Sequence, residues 1–183
     1  IEKGGELYCF AKFWLPAERI DEATERDNLP YNIYIQRGLL TPSGDNFVDY
    51  KDCFNWFKDL IIQYKIYPLM VGFDRYSAQY LVQDMKEFGF QMDDVYQGYN
   101  LTPVINEFEG LIKDGVINIG DNDLLKVHLL NTALRTENDT ERSKIVKLSS
   151  TAHIDGTASL LDAMCVRQKH WKELGKQLQN VGR

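Results

Sequence analysis

Two aspartates stand where strand-like runs give way to helix-like ones, at the end of "PLMVGFD" and inside "SSTAHIDGTASLLDAM". Asp74 closes an apolar run and is followed by "RYSAQYLV", which opens a helix. Asp155 precedes Gly156 and Thr157, and then Ala158, Leu161, Met164 and Cys165 at helical spacing. Each position admits two readings. An aspartate there can cap a helix by accepting from its first free N–H groups, and Asp74 can also pair with Arg75. Alternatively, the carboxyl end of a strand is where open α/β sheets build their sites, and two such carboxylates brought side by side bind a divalent cation. Hard oxygen donors with little histidine or thiolate support suit Mg2+ or Mn2+ rather than Zn2+. Two such ions about 4 Å apart activate a water and stabilise the leaving oxygen during attack on a phosphodiester. That chemistry generally needs three or more acidic ligands, and spacing alone singles out two.

The elements that must position these residues alternate along the chain. "GELYCFAKFWLP" reads as a strand ending at Pro16, preceded by a hairpin turn in "IEKGGE". "AERIDEATERDNLPYNIYIQRG" reads as a short helix or irregular excursion, and "LLTPSGDNFVDY" as a turn followed by a short strand. Phe54, Phe57, Ile61 and Tyr64 define one face of a helix over 51–65. "YPLMVGFD" is a buried strand, and 78–88 a helix stopped by Gly89. "DDVYQGY" is a strand; "LTPVINEFEGLIKDG" is a helix with Thr102 as cap and Pro103 in its first turn. "VINIG" is a strand, 121–134 a helix capped by Asp121 or Asn122, and "SKIVKLSS" a strand. This alternation predicts an α/β domain with a mostly parallel or mixed sheet.

With 183 residues, 44% of them hydrophobic, the chain suffices for one well-filled domain. No apolar run approaches the roughly 18 residues of a membrane span. Cys9, Cys53 and Cys165 are widely spaced and odd in number, which argues against a disulfide framework or a zinc site and for buried, reduced thiols. A net charge of −6 excludes a generally DNA-coating protein. The charge is uneven, however. Arg142, Lys144 and Lys147 cluster before the Asp155 motif, and 167–183 reads as a basic C-terminal helix or tail carrying Arg167, Lys169, Lys172, Lys176 and Arg183. Such clusters either remain solvated or grip a phosphate backbone.

The ordered set "KFWLP", "NLPYNIYIQRGLLTPSGDNFVDY", "VGFDRYSAQYLVQDM", "VYQGYNLTPVINEFEGLIKDG", "HLLNTAL" and "HIDGTASLLDAM" resembles the nuclease domain of phage terminase large subunits, over nearly the whole chain. The resemblance implies an RNase H-like (resolvase/integrase-type) mixed sheet flanked by helices. It also implies cleavage of concatemeric double-stranded DNA by a two-metal site holding Mg2+ or Mn2+. It places the metal-binding, catalytic aspartates on Asp74 and Asp155, with Asn131 and Lys144 matching residues that precede the late motif. His153 becomes an accessory outer ligand or proton carrier. Asp162, two turns beyond Asp155 on the same helix, becomes an accessory ligand. DNA phosphates would lie against Arg142, Lys144 and Lys147.

The resemblance also sets expectations about what surrounds the domain. The family's first metal-binding aspartate lies on a strand upstream of Ile1, so 1–183 reads as a single nuclease domain cut from a longer chain, lacking the N-terminal strand and cleaving weakly or not at all. No GxxxxGK[ST] phosphate loop is present, so the ATPase domain is expected elsewhere. The implied partners are that ATPase domain, a small terminase subunit and a portal, with no membrane, in the cytoplasm of a bacterial host. Two alternatives stay open: another RNase H-like nuclease such as a junction resolvase or transposase core, and a non-catalytic docking module whose aspartates are caps.

Overall fold

The structure is a computed structural model and describes residues 1–76 and 79–181, the side chains of 174–181 excepted. The chain starts with the expected hairpin. β1 (Glu2–Lys3) turns through Gly4 and Gly5, both at positive φ, into β2 (Glu6–Tyr8). The run "GELYCFAKFWLP" is not one strand: it breaks after Tyr8 and resumes as β3 (Phe13–Leu15). Pro16 ends it, having no N–H to offer a ladder. The charged excursion forms two short helices, α1 (Ile20–Asp27) and α2 (Tyr31–Gln36), joined across Asn28 in the left-handed conformation. β4 (Leu40–Pro42) precedes the turn at Ser43 and Gly44, whereas the strand had been expected after it. Asp49 instead caps α3 (Tyr50–Ile62) by accepting from the Lys51 N–H.

β5 (Val71–Asp74) is followed by α4 (Gln79–Phe88), which ends at Gly89 with φ 112° as expected, while the start expected at Ala78 lies outside the described residues. β6 (Met92–Val95), α5 (Thr102–Lys113) and β7 (Ile117–Asn118) come next. Thr102 is the first residue of α5 and not its cap; its hydroxyl donates back to the Tyr99 carbonyl. α6 (Asp123–Leu130) is capped by Asn122, which accepts from the Leu125 N–H. This helix does not continue to Leu134. Thr132–Thr136 is a strand, β8, paired antiparallel with β9 (Ser143–Lys147). The cross-strand partner decides that segment, and helical periodicity in the local sequence cannot register it. α7 (Asp155–Val181) closes the chain.

These elements make a mixed α/β molecule, as expected, but not one sheet. β2 pairs antiparallel with β1 and parallel with β7, β3 is parallel to β4, and β5 is parallel to β6. Among the described residues, no ladder joins these groups to one another or to the β8–β9 hairpin. Packing joins them, chiefly through α7, which lies on β5, β6, α5 and α6. Leu161, Met164 and Val166 of α7 enter a core with Leu7, Val95, Val104 and Phe108. A second core of Ile20, Ala23, Tyr31, Tyr34, Leu40 and Leu124 pins the α1–α2 excursion to α6. Each large apolar side chain buried this way contributes about 1.5–3 kcal/mol. The excursion is therefore a packed part of the molecule.

The three cysteines are free and half-buried, and burial raises each thiol above its ordinary pKa, Cys53 to about 11. None is a ready thiolate. No helix among the described residues is long and apolar enough to cross a membrane.

Candidate metal centre

Asp74 ends β5, where its Oδ1 accepts from the Tyr76 N–H at 3.2 Å. The neighbouring Arg75 turns away to pair with Asp94 and to lie over the Tyr96 ring, so the expected Asp74–Arg75 alternative is not what the side chains do. α7 crosses β5 at Gly72, where a Cβ would fall 2.7 Å from the Asp162 carbonyl oxygen. That close approach seats the Asp162 side chain, 7% exposed, beside the strand end. Burial, and then the Asp74 charge, push the Asp162 carboxyl up to about 7, while the neutral Gln97 amide donates to its Oδ1. Two carboxylates placed so close repel when both are ionised. Asp74 and Asp162 are the carboxylates that could hold a divalent cation at this strand end.

Asp155 begins α7, two turns or about 10 Å before Asp162 on the same helix face. Its side chain is 78% exposed and approaches His153, with Nδ1 to Oδ2 at 3.7 Å. The helix-capping role expected for Asp155 falls in part to another residue. His128, buried on α6, accepts from the Gly156 N–H through Nδ1 at 2.9 Å. Burial chiefly pulls the His128 pKa down to about 4, keeping the ring neutral and the acceptor available. His128 also stacks on His153 with ring centroids 6.4 Å apart. The Asn131 amide donates to the His153 carbonyl at 3.3 Å and so holds this loop in place. Among the described residues, no three His, Cys, Asp or Glu side chains already form a metal cage.

The expected basic group divides. The Lys144 ammonium and Arg142 guanidinium lie over Tyr99, 4.8 and 5.8 Å from its ring centre. Lys147 stands on the alternate face of β9. Further on, Arg167 is paired with Glu2 and Glu107, and Lys169 and His170 with Asp93. Arg167 and Lys169 are thus engaged by the fold's own acids, Lys172 is exposed, and the side chains of Lys176 and Arg183 lie outside the described residues.

The family model for the endonuclease domain of the terminase large subunit matches residues 1–170. This chain belongs to that family. It is 25% identical over 154 residues to the terminase large subunit of Enterobacteria phage HK97, covering 82% of this chain and 30% of that protein. The crystal structure of the HK97 large terminase superposes with a TM-score of 0.72 at 22% identity, over 82% of this chain and 32% of that one. A more distant likeness, to the large terminase nuclease from thermophilic phage G20c with bound magnesium, has a TM-score of 0.49 at 14% identity over 66% of this chain and 64% of that one. The chain thus spans about a third of the length of the HK97 terminase.

Within this terminase nuclease domain, Asp162, an accessory position by resemblance, is buried near enough to the end of β5 for the Asp74 charge to raise its carboxyl. Asp155 is placed with His153. Three residues at the centre went unnoticed in the sequence: Gln97, His128 and Asp27, whose buried carboxylate meets His153 Nε2 at 3.0 Å. His128 lies inside the quoted "HLLNTAL" block, yet nothing local distinguishes it from a core residue.

Proposed function

We propose that this chain is the nuclease part of a DNA-packaging terminase, RNase H-like in fold, which hydrolyses phosphodiester bonds of concatemeric double-stranded DNA with Mg2+ or Mn2+. The observation that carries the reading is the buried Asp162 carboxyl, seated where α7 crosses β5 at Gly72, two residues before Asp74 at the strand's carboxyl end. An all-oxygen pair of this kind suits a hard cation. Asp74 and Asp162 would hold the ions from one side and Asp155 from the other, with His153 at the edge. What divalent cations supply in such a site is an activated water and a stabilised leaving oxygen.

The chain's own residues do the rest. Gln97 fixes the Asp162 carboxylate, and the first two turns of α7 hold Asp155 and Asp162 on one face. Lys144 and Arg142 would contact backbone phosphates, which positions a duplex without reading its bases. An ATPase domain, a small subunit and a portal would be the partners in the assembled motor, in the host cytoplasm. The docking-module alternative weighs less, because His128 supplies the N-terminal acceptor that a purely capping Asp155 would have provided.

Mn2+ binding, followed by loss of the free-ion EPR signal, tests the reading. Asp74→Ala and Asp162→Ala should each weaken binding at least about tenfold, and the slow plasmid nicking expected in excess Mn2+ should vanish with Asp74→Ala. Undiminished Mn2+ binding by Asp74→Ala overturns the proposal.

A further inference from the structure

Asp27 ends α1, and its side chain is only 2% exposed. It accepts from Arg26 Nε at 2.7 Å, Arg26 Nη2 at 2.9 Å, the Tyr31 hydroxyl at 2.9 Å and His153 Nε2 at 3.0 Å. The Arg26 guanidinium grips both of its oxygens and the Tyr31 hydroxyl donates to it as well, the hydrogen-bond set of an ionised carboxylate. An ionised carboxylate can only accept. The ring nitrogen facing it, Nε2, therefore carries the hydrogen.

In a neutral imidazole the other nitrogen is then a bare acceptor. That atom, Nδ1, faces the Asp155 carboxylate at 3.7 Å, which is also an acceptor. With the ring neutral, these two acceptors can share one cation. Two ligands each about 2.1 Å from one ion stand roughly 3–4 Å apart. The ring is also held from its other sides: His128 stacks on it, and Asn131 bonds its carbonyl.

We propose that Asp27 is a positioning residue for the metal centre. It fixes His153 as the Nε2–H tautomer, so that Nδ1 and the Asp155 carboxylate face a single divalent cation. A carboxylate behind a ligating histidine orients the ring and raises its basicity. The α1–α2 excursion, pinned by its own core, thereby braces the mouth of the site. This inference rests on the nuclease reading only in taking the cation to be the one that serves cleavage.

The test is a long-range 1H–15N correlation spectrum of the labelled chain at pH 8, where an ordinary imidazole is neutral, with His153 assigned by the loss of its signals in His153→Gln. The Nε2–H tautomer is expected, and sub-stoichiometric Mn2+ should broaden His153 Nδ1 before either nitrogen of His170. An Nδ1–H tautomer overturns the proposal, as does Mn2+ that broadens both rings alike. Asp27→Asn should weaken Mn2+ binding about tenfold and mix the tautomers, whereas Tyr31→Phe, which leaves the His153 bond in place, should change binding by less than about threefold. Equal losses in the two variants overturn the positioning role. If Asp27→Asn does not fold, the spectra of the unsubstituted chain decide alone. Selective broadening in a chain that never nicks plasmid removes the nuclease reading and leaves this one standing. Nicking accompanied by unselective broadening does the reverse.

Discussion

Asp162 and His128 are both buried on inward faces of their helices, and burial moves their titrations in opposite senses. The Asp162 pKa, near 7 when folded against 3.8 unfolded, means that the folded state holds a proton the unfolded state has lost. Stability from this group falls as pH rises from about 4 to 7. His128, near 4 when folded against 6.5 unfolded, refuses a proton that the unfolded state takes, so its contribution rises over almost the same window. The effects are on the order of 3–4 kcal/mol each, and the two largely cancel. Asp162→Asn, which keeps an acceptor for Gln97, should therefore melt higher at pH 8 and gain stability from pH 4.5 to 6.5. His128→Asn, which keeps an acceptor for the Gly156 N–H, should lose stability over that range. Urea melts at pH 4.5, 6 and 8 check this, and parallel profiles in all three proteins would show that neither residue is perturbed as described.

At the scale of elements, the site depends on how closely α7 can lie on β5. Gly72 permits that approach, since a methyl there would meet the Asp162 carbonyl oxygen at 2.7 Å and Val166 Cγ1 at 3.0 Å. Gly72→Ala must push the helix away or bend the strand. The expected cost is about 1–3 kcal/mol of stability in a denaturant melt, with Mn2+ binding weakened as Asp162 leaves Asp74. A melt lost without any change in Mn2+ binding would show that the crossing supports the core but not the site. The N-terminal end of α7 is set by His128 and the β8–β9 hairpin, with Thr132 bonded to Thr157 at 2.9 Å. One helix thus links the strand-end acid pair to the Asp27–His153 contact.

For the whole molecule the question is how a chain of net charge −6 holds a polyanion. Several of its cations are already paired with its own acids, as Arg75, Arg167 and Lys169 show. Arg142 and Lys144 lie instead against the face of Tyr99, an arrangement that keeps the charge outward-acting. Duplex binding should therefore be weak and steep in salt. The double substitution Arg142→Ala/Lys144→Ala should flatten the plot of log K against log salt by about 1.8, or 0.9 per phosphate contact. Arg167→Ala should leave that slope unchanged. A double variant with the parent's slope would move the DNA surface elsewhere.

The alternation of elements, the strand-end position of Asp74 and the family pattern were legible in the sequence, because strand endings, helix faces and turn residues leave marks within a dozen residues of chain. Asp155 was legible as the start of the last helix for the same reason. The seating of Asp162 against β5, the Asp27–His153 bond across 126 residues, and the strand at Thr132–Thr136 were decided only in three dimensions. Each depends on a partner brought from far along the chain. A carboxylate's protonation, a histidine's tautomer and a strand's register are set by what stands opposite, and no local pattern of residues encodes that neighbour.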